Sequence, residues 1–269
     1  MHIDAGVYFW KYEKTIQNPF ILANRMLQQN YLPEQITQTL HRNGMGGCLA
    51  VITESEEVET RFLSELALTH PEIRGVIGWI PLYDPKAVEK IQEFQQYSPI
   101  RGYRIDSAGN DLPAREVMEL LQASSYSIDI SLLADSHSSK INKWLGKYPE
   151  QPFVLEDCGS PDTRQSPSKT WESAIRELSK NQNLNCKVSG LLEKSNAKTW
   201  KPADFYPFLD ILFDSFGSER LLFASDWPFL LVSGMYLQWK SLLEKYTEKF
   251  IEEDRDKFFG ENARTIYRL

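Results

Sequence analysis

At 269 residues, with 42% hydrophobic and 25% charged side chains and a formal charge of −7, the chain has globular composition, which excludes a disordered or low-complexity protein. Lys and Arg are scattered among Asp and Glu, so no basic stripe exists for nucleic acid or anionic lipid, and neither is expected as a partner. The longest apolar stretch, residues 221–232, is broken by Asp226 and Pro228, and the N-terminus lacks a basic and then apolar leader, so a soluble, cytoplasmic protein is expected. A chain of this length leaves roughly 12,000 Å² exposed and buries about three quarters of its unfolded surface. Neither a disulfide nor a structural metal is needed. Cys48, Cys158 and Cys186 are far apart without any CxxC spacing and read as small core residues.

Taken in order, short β-rich runs alternate with segments of helical apolar spacing. The runs cover residues 2–9, 47–53, 75–82, 102–106, 127–133, 153–158, 185–190 and 220–226. Predicted helices cover 33–43, 56–69, 86–96, 114–123, 138–147, 168–180 and 203–216 between them, and 234–246 after the last strand. In the first helix Ile36 and Leu40 lie four apart and Gly44 follows as a cap; in the second, Phe62, Leu63 and Leu66 form the stripe. Strict β-then-α alternation implies a parallel sheet, and eight right-handed units close most naturally into an α/β fold of the (β/α)₈ TIM-barrel type. An open doubly wound sheet is the alternative, but no GxGxxG or GxxxxGK[ST] turn follows any strand. There is neither linker nor repeat, so residues 1–269 are expected to form one domain, with 162–169 as a surface loop.

In such barrels the reactive groups stand at the C-terminal strand ends, where inward and outward side chains alternate. That rule selects Asp4, Gly6 and Tyr8 on the first strand, Arg104 and Asp106 on the fourth, Asp157 on the sixth and Asp226 on the eighth. Carboxylates there are costly to bury without a partner, so Asp106, Asp157 and Asp226 call for Arg104, Lys187 or a metal ion. The direction of Lys187 is not fixed by pattern alone. Trp10 and Trp227 either line the pocket or pack beneath loops. His70, before Pro71, reads as a helix-end cap, and His2, His41 and His137 as surface or strand-edge residues.

Segments in this order resemble a known family: IDAGVYFW at 3–10, HPEIRGVIGWIPLYDP at 70–85, IRGYRID at 100–106, FVLEDCGSP at 153–161, CKVSGL at 186–191, FGSERLLFASDWP at 216–228 and FFGENARTIYRL at 258–269. The chain is similar to the amidohydrolase-related (amidohydrolase 2) group of metal-dependent TIM-barrel hydrolases, which includes dicarboxylate, rhamnonate and fuconate lactonases. It departs from them in one respect. The group's first strand reads D-x-H-x-H, and Gly6 and Tyr8 stand at the two histidine positions; Asp106 and Asp157 stand where further histidines are usual, and Asp226 of SDWP is retained.

The resemblance therefore implies a hydrolase of a small polar lactone, ester or amide without the histidine metal centre, and no cofactor is expected. Asp226 would act as general base on water, with Arg104 and Lys187 or Tyr8 polarising the carbonyl. Asp106, Asp157, Trp10 and Trp227 complete the candidate substrate-binding set. An inward Arg104 between Asp106 and Asp157 serves equally as a structural counter-ion, and Tyr8 could fill the space that Gly6 leaves. Two rival readings stay open: an inactive relative that binds a small metabolite, and a hydrolase with a divalent cation on Asp4, Asp106, Asp157 and Asp226. The oligomeric state is not set; a homo-oligomer is compatible with the sequence.

Overall fold

The computed structural model describes residues 1–12, 17–106, 112–132, 134–197 and 199–269, without the side chains of 134–137. Leu133, at the end of the fifth predicted strand, and the His137 side chain lie outside the described residues. Eight parallel strands follow chain order in one sheet: β1 (His2–Tyr8), β2 (Met45–Val51), β3 (Ile73–Gly78), β4 (Ile100–Asp106), β5 (Ser127–Ser131), β6 (Phe153–Leu155), β7 (Leu184–Val188) and β8 (Leu221–Phe223). The ring shuts just past β8, where Val7 pairs in parallel with Trp227. There the Tyr8 amide donates to the Trp227 carbonyl at 2.8 Å and the Asp226 amide to the Gly6 carbonyl at 2.9 Å. The fold is a single (β/α)₈ TIM barrel.

The helices are α1 (Pro19–Ala23), α2 (Pro33–Arg42), α3 (Glu57–Thr69), α4 (Ala87–Phe94), α5 (Arg115–Ala123), α6 (Ala134–Leu145), α7 (Lys169–Leu178), α8 (Pro202–Phe216), α9 (Tyr236–Thr247), α10 (Glu252–Asp256) and α11 (Asn262–Tyr267). All eight predicted helices are present within a few residues of their expected ends. Helix α2 starts with Pro33 at its first turn, buries Ile36 and Leu40 against the sheet, and has its entry amide at Leu32 bonded to the Gln35 side chain at 2.7 Å. His70 caps α3, its Nδ1 lying 3.0 Å from the Leu66 carbonyl. The periodic signal missed α1 and the C-terminal α10 and α11, which are too short to show it. All three cysteines are buried, exposed surface totals 12375 Å², and no helix among the described residues is long and apolar enough to cross a membrane.

Three strands, β3, β6 and β8, stop three or more residues earlier than their sequence pattern. Beyond Gly78 the Trp79 amide and carbonyl both bond the Thr60 hydroxyl at 2.8 Å and not a neighbouring strand. After β6 the backbone turns left-handed at Asp157, Cys158, Gly159 and Ser160, and after β8 it does so at Asp226 (φ +56°). For non-glycine residues that region costs on the order of 1–3 kcal/mol each and persists only where surroundings impose it. Here the Cys158 thiol donates to the Lys187 carbonyl at 3.2 Å, and the Trp171 indole N–H donates to the Cys158 carbonyl at 2.8 Å. The strained turns sit at the mouth, where they aim Asp157 and Asp226.

Candidate active site

At the C-terminal ends of the strands a cavity of about 230 Å³ opens, with Tyr8, Arg104, Asp157, Glu193, Lys194 and Asp226 among its walls. Asp226 reaches it from the left-handed turn after β8, and its Oδ2 accepts the Gly190 amide at 2.5 Å. Gly190 must be glycine: its φ is +72° and a Cβ there would lie 2.5 Å from Asp157 Cβ. Asp157 accepts the Ser189 hydroxyl at 3.0 Å and faces the Lys194 ammonium at 4.0 Å. Burial, then the charges of Asp157 and Glu193, push the Asp226 carboxyl well above the usual carboxylate range, against the pull of Gly190 N–H and Lys194. Burial likewise raises Glu193 to about 7. The Tyr8 hydroxyl is raised by burial and by Glu156, Asp226 and Asp157, so it stays a donor at neutral pH.

Arg104 is positioned from beneath. Its Nη1 donates to the Ile52 carbonyl at 2.8 Å, while its Nε lies 3.7 Å from Asp106 and 3.8 Å from Glu156 without a hydrogen bond. Glu156 in turn meets Lys187 at 3.2 Å, Lys187 meets Asp129 at 2.7 Å, and Asp129 accepts the Tyr267 hydroxyl at 2.7 Å. Burial opposes the charge on Lys187, but Asp129 and Glu156 outweigh it and the ammonium is raised overall. Lys187 therefore does not reach the cavity: it points inward, but lies below the mouth in a buried ion chain. Glu156 and Asp129 escaped sequence reasoning, although an aspartate alternating with isoleucines in SIDIS was a signal for a buried, partnered carboxylate. Glu193 and Lys194 lie in the loop after β7, where no periodicity points at them.

Other candidates fall outside the cavity. Asp106 is exposed and accepts the Ser55 hydroxyl at 2.6 Å. Trp227 is a packing residue, its ring 6.0 Å from Phe9 and 5.3 Å from Tyr31. Trp10 packs on Tyr31 and Phe229 and lines an adjacent cavity. Tyr8 does not fill the space at Gly6; a Cβ there would meet Ala224 at 3.1 Å and Asp226 Oδ1 at 3.4 Å. Asp4 is fully buried, its Oδ1 accepting the Ser225 and Gly6 amides at 2.9 and 3.2 Å. The four carboxylates of the oxygen-only set are thus not gathered.

The amidohydrolase family matches residues 3–269. The chain belongs to it. Two curated amidohydrolase relatives are L-fucono-1,5-lactonases: one from Burkholderia multivorans, 28% identical over 100% of this chain and 96% of its own, and one from Burkholderia ambifaria, 25% identical over 99% and 95%. A solved Burkholderia multivorans amidohydrolase with bound zinc superposes with a TM-score of 0.91 at 27% identity, covering 100% of this chain and 99% of that one. In this amidohydrolase the donor set does not fit such an ion. Among the described residues no three His, Cys, Asp or Glu side chains are grouped to hold a metal, and the acids that reach the cavity, Asp157, Glu193 and Asp226, share it with the Lys194 ammonium, a cation that repels one.

Proposed function

We propose that this amidohydrolase opens a small lactone to its hydroxy acid, with Asp226 as general base and Arg104 as the oxyanion partner. The observation that carries the reading is the meeting of Asp226 with Arg104 and Lys194 around one cavity. The lactonase names of the Burkholderia relatives support the same bond class. In the forward step the Asp226 carboxylate takes a proton from water as the water oxygen adds to the ring carbonyl carbon. Negative charge on the carbonyl oxygen is met by the Arg104 guanidinium, with the Lys194 ammonium and the Tyr8 hydroxyl as further donors. Re-forming the carbonyl expels the ring oxygen, which collects the proton from Asp226, so lactone and water give one hydroxycarboxylic acid. A base with a raised pKa suits this role, since it holds the proton it takes more strongly than an ordinary carboxylate does.

The test is hydrolysis of a panel of 1,5-lactones by the purified protein and by Asp226→Asn. The variant is expected to lower kcat/KM at least ~100-fold with an unchanged melting temperature. An active protein whose rate survives the substitution overturns the assignment.

A further inference from the structure

Beside the polar cavity lies a second one of about 340 Å³, and Thr53 lines both. Its apolar walls are the buried Phe9 and Trp10, with Phe62 and, at the rim, the exposed Val58. Phe229, which lines the polar cavity, has its ring 5.3 Å from that of Trp10, which lines the second, so the two spaces adjoin.

The polar groups around this space are mostly committed. Glu59 accepts the Thr53 and Glu54 amides at 2.7 Å each, and Glu54 accepts the Gln17 and Asn18 amides at 2.5 and 2.6 Å. Lys11 at the rim sits 5.6 Å over the Phe62 ring. Two buried groups remain: the Trp10 indole N–H and the Thr53 hydroxyl have no hydrogen-bond partner among the described residues, and the residues are 4% and 7% exposed. Leaving such groups without partners costs about 1–3 kcal/mol each, and both can donate. Sites of a few hundred Å³ with apolar walls and a few placed donors are the usual form of small-molecule sites.

We propose that this cavity is a second subsite, which takes an aryl or short alkyl substituent bearing one hydrogen-bond acceptor, carried by the molecule whose reacting carbonyl occupies the polar cavity. The link to a reacting carbonyl rests on the lactonase reading; the cavity's preference for an apolar group with an acceptor does not. Apolar walls supply the affinity, and the acceptor meets Trp10 or Thr53. On this basis the protein favours apolar-substituted lactones over their unsubstituted parents.

Two measurements separate the claims. Calorimetry with 3-phenylpropanol, which cannot react, reads the cavity alone; binding to the wild type that falls at least tenfold in Val58→Trp is expected. Val58 is 65% exposed on α3, so the larger ring can be added at the rim without entering the core. Should that variant fail to fold, Trp10→Phe, which deletes only the donor and part of the ring system, is expected to weaken the alcohol several-fold. Relative kcat/KM for δ-valerolactone and its 5-phenyl derivative reads the link: the wild type is expected to prefer the phenyl compound at least tenfold, and Val58→Trp to reduce that preference to within threefold of unity. Alcohol binding that is absent, or that survives both substitutions, overturns the subsite. Binding lost on substitution, with neither lactone hydrolysed, upholds the subsite and overturns the lactonase reading.

Discussion

Asp226 sits where its surroundings oppose its own charge, and this has a consequence for rate against pH. Because its carboxyl is raised by burial, Asp157 and Glu193, the base form grows in only above the ordinary carboxylate range. Lactone hydrolysis is therefore expected to rise with pH along an acidic limb set by Asp226. Asp157→Asn removes a neighbouring negative charge and is expected to move that limb to lower pH; Lys194→Met removes a stabilising cation and is expected to move it to higher pH. A pH–rate profile of each variant checks both signs, and limbs that stay in place would separate Asp226 from the rate. Asp226, Asp157, Arg104 and Tyr8 were legible as residues of the mouth because each stands in the C-terminal part of a strand pattern, Asp157 and Asp226 just past the last paired residue. Lys187 was not: a period of two fixes which residues share a face, but neither which face is inward nor how far below the mouth an inward residue lies.

At the level of elements, the alternation of strands and helices was readable from apolar spacing alone, because each helix buries one stripe on the sheet. What was hidden is where strands end. Strands β6 and β8 terminate through backbone conformations that hydrogen bonds from other elements impose, and such bonds leave no local pattern. The C-terminal α11 is a further case, six residues long, yet its Tyr267 enters the barrel interior and donates to Asp129. Tyr267→Phe removes one hydrogen bond to a charged group and is expected to destabilise the protein by about 1.5–3 kcal/mol, read as a shift in urea midpoint at constant slope. Asp129→Ala is expected to cost more, roughly 3–5 kcal/mol, because it leaves the Lys187 ammonium buried beside one acid fewer. Equal effects from the two substitutions would argue against the buried chain as a coupled unit.

For the molecule as a whole, eight alternations in 269 residues sufficed to indicate a closed barrel. Which residues make the closure was not visible, since it depends on contacts between the first strand and the segment after the last. Asp4 belongs to that closure through its bond from the Ser225 amide, and burial raises it to about 6. A carboxyl whose folded pKa exceeds its unfolded value near 3.8 contributes fully below pH 4 and loses that contribution as pH rises to about 6. The loss is on the order of 3 kcal/mol. Asp4→Asn keeps an acceptor for the Ser225 and Gly6 amides and has no charge to bury. Its stability relative to the wild type is therefore expected to increase between pH 4 and pH 7, as measured by urea unfolding at both values; a constant difference would show that Asp4 titrates normally.

The residue proposed to activate water also fastens the first strand to the segment after the last, since the Asp226 amide is bonded to the Gly6 carbonyl. A nascent polypeptide still lacking its final hundred residues does not yet contain that carboxylate, and a protein nicked within its last strand loses the same anchor. Turnover should therefore vanish together with circular closure, so that an activity assay doubles as a gauge of how many molecules in a preparation have a shut ring of strands.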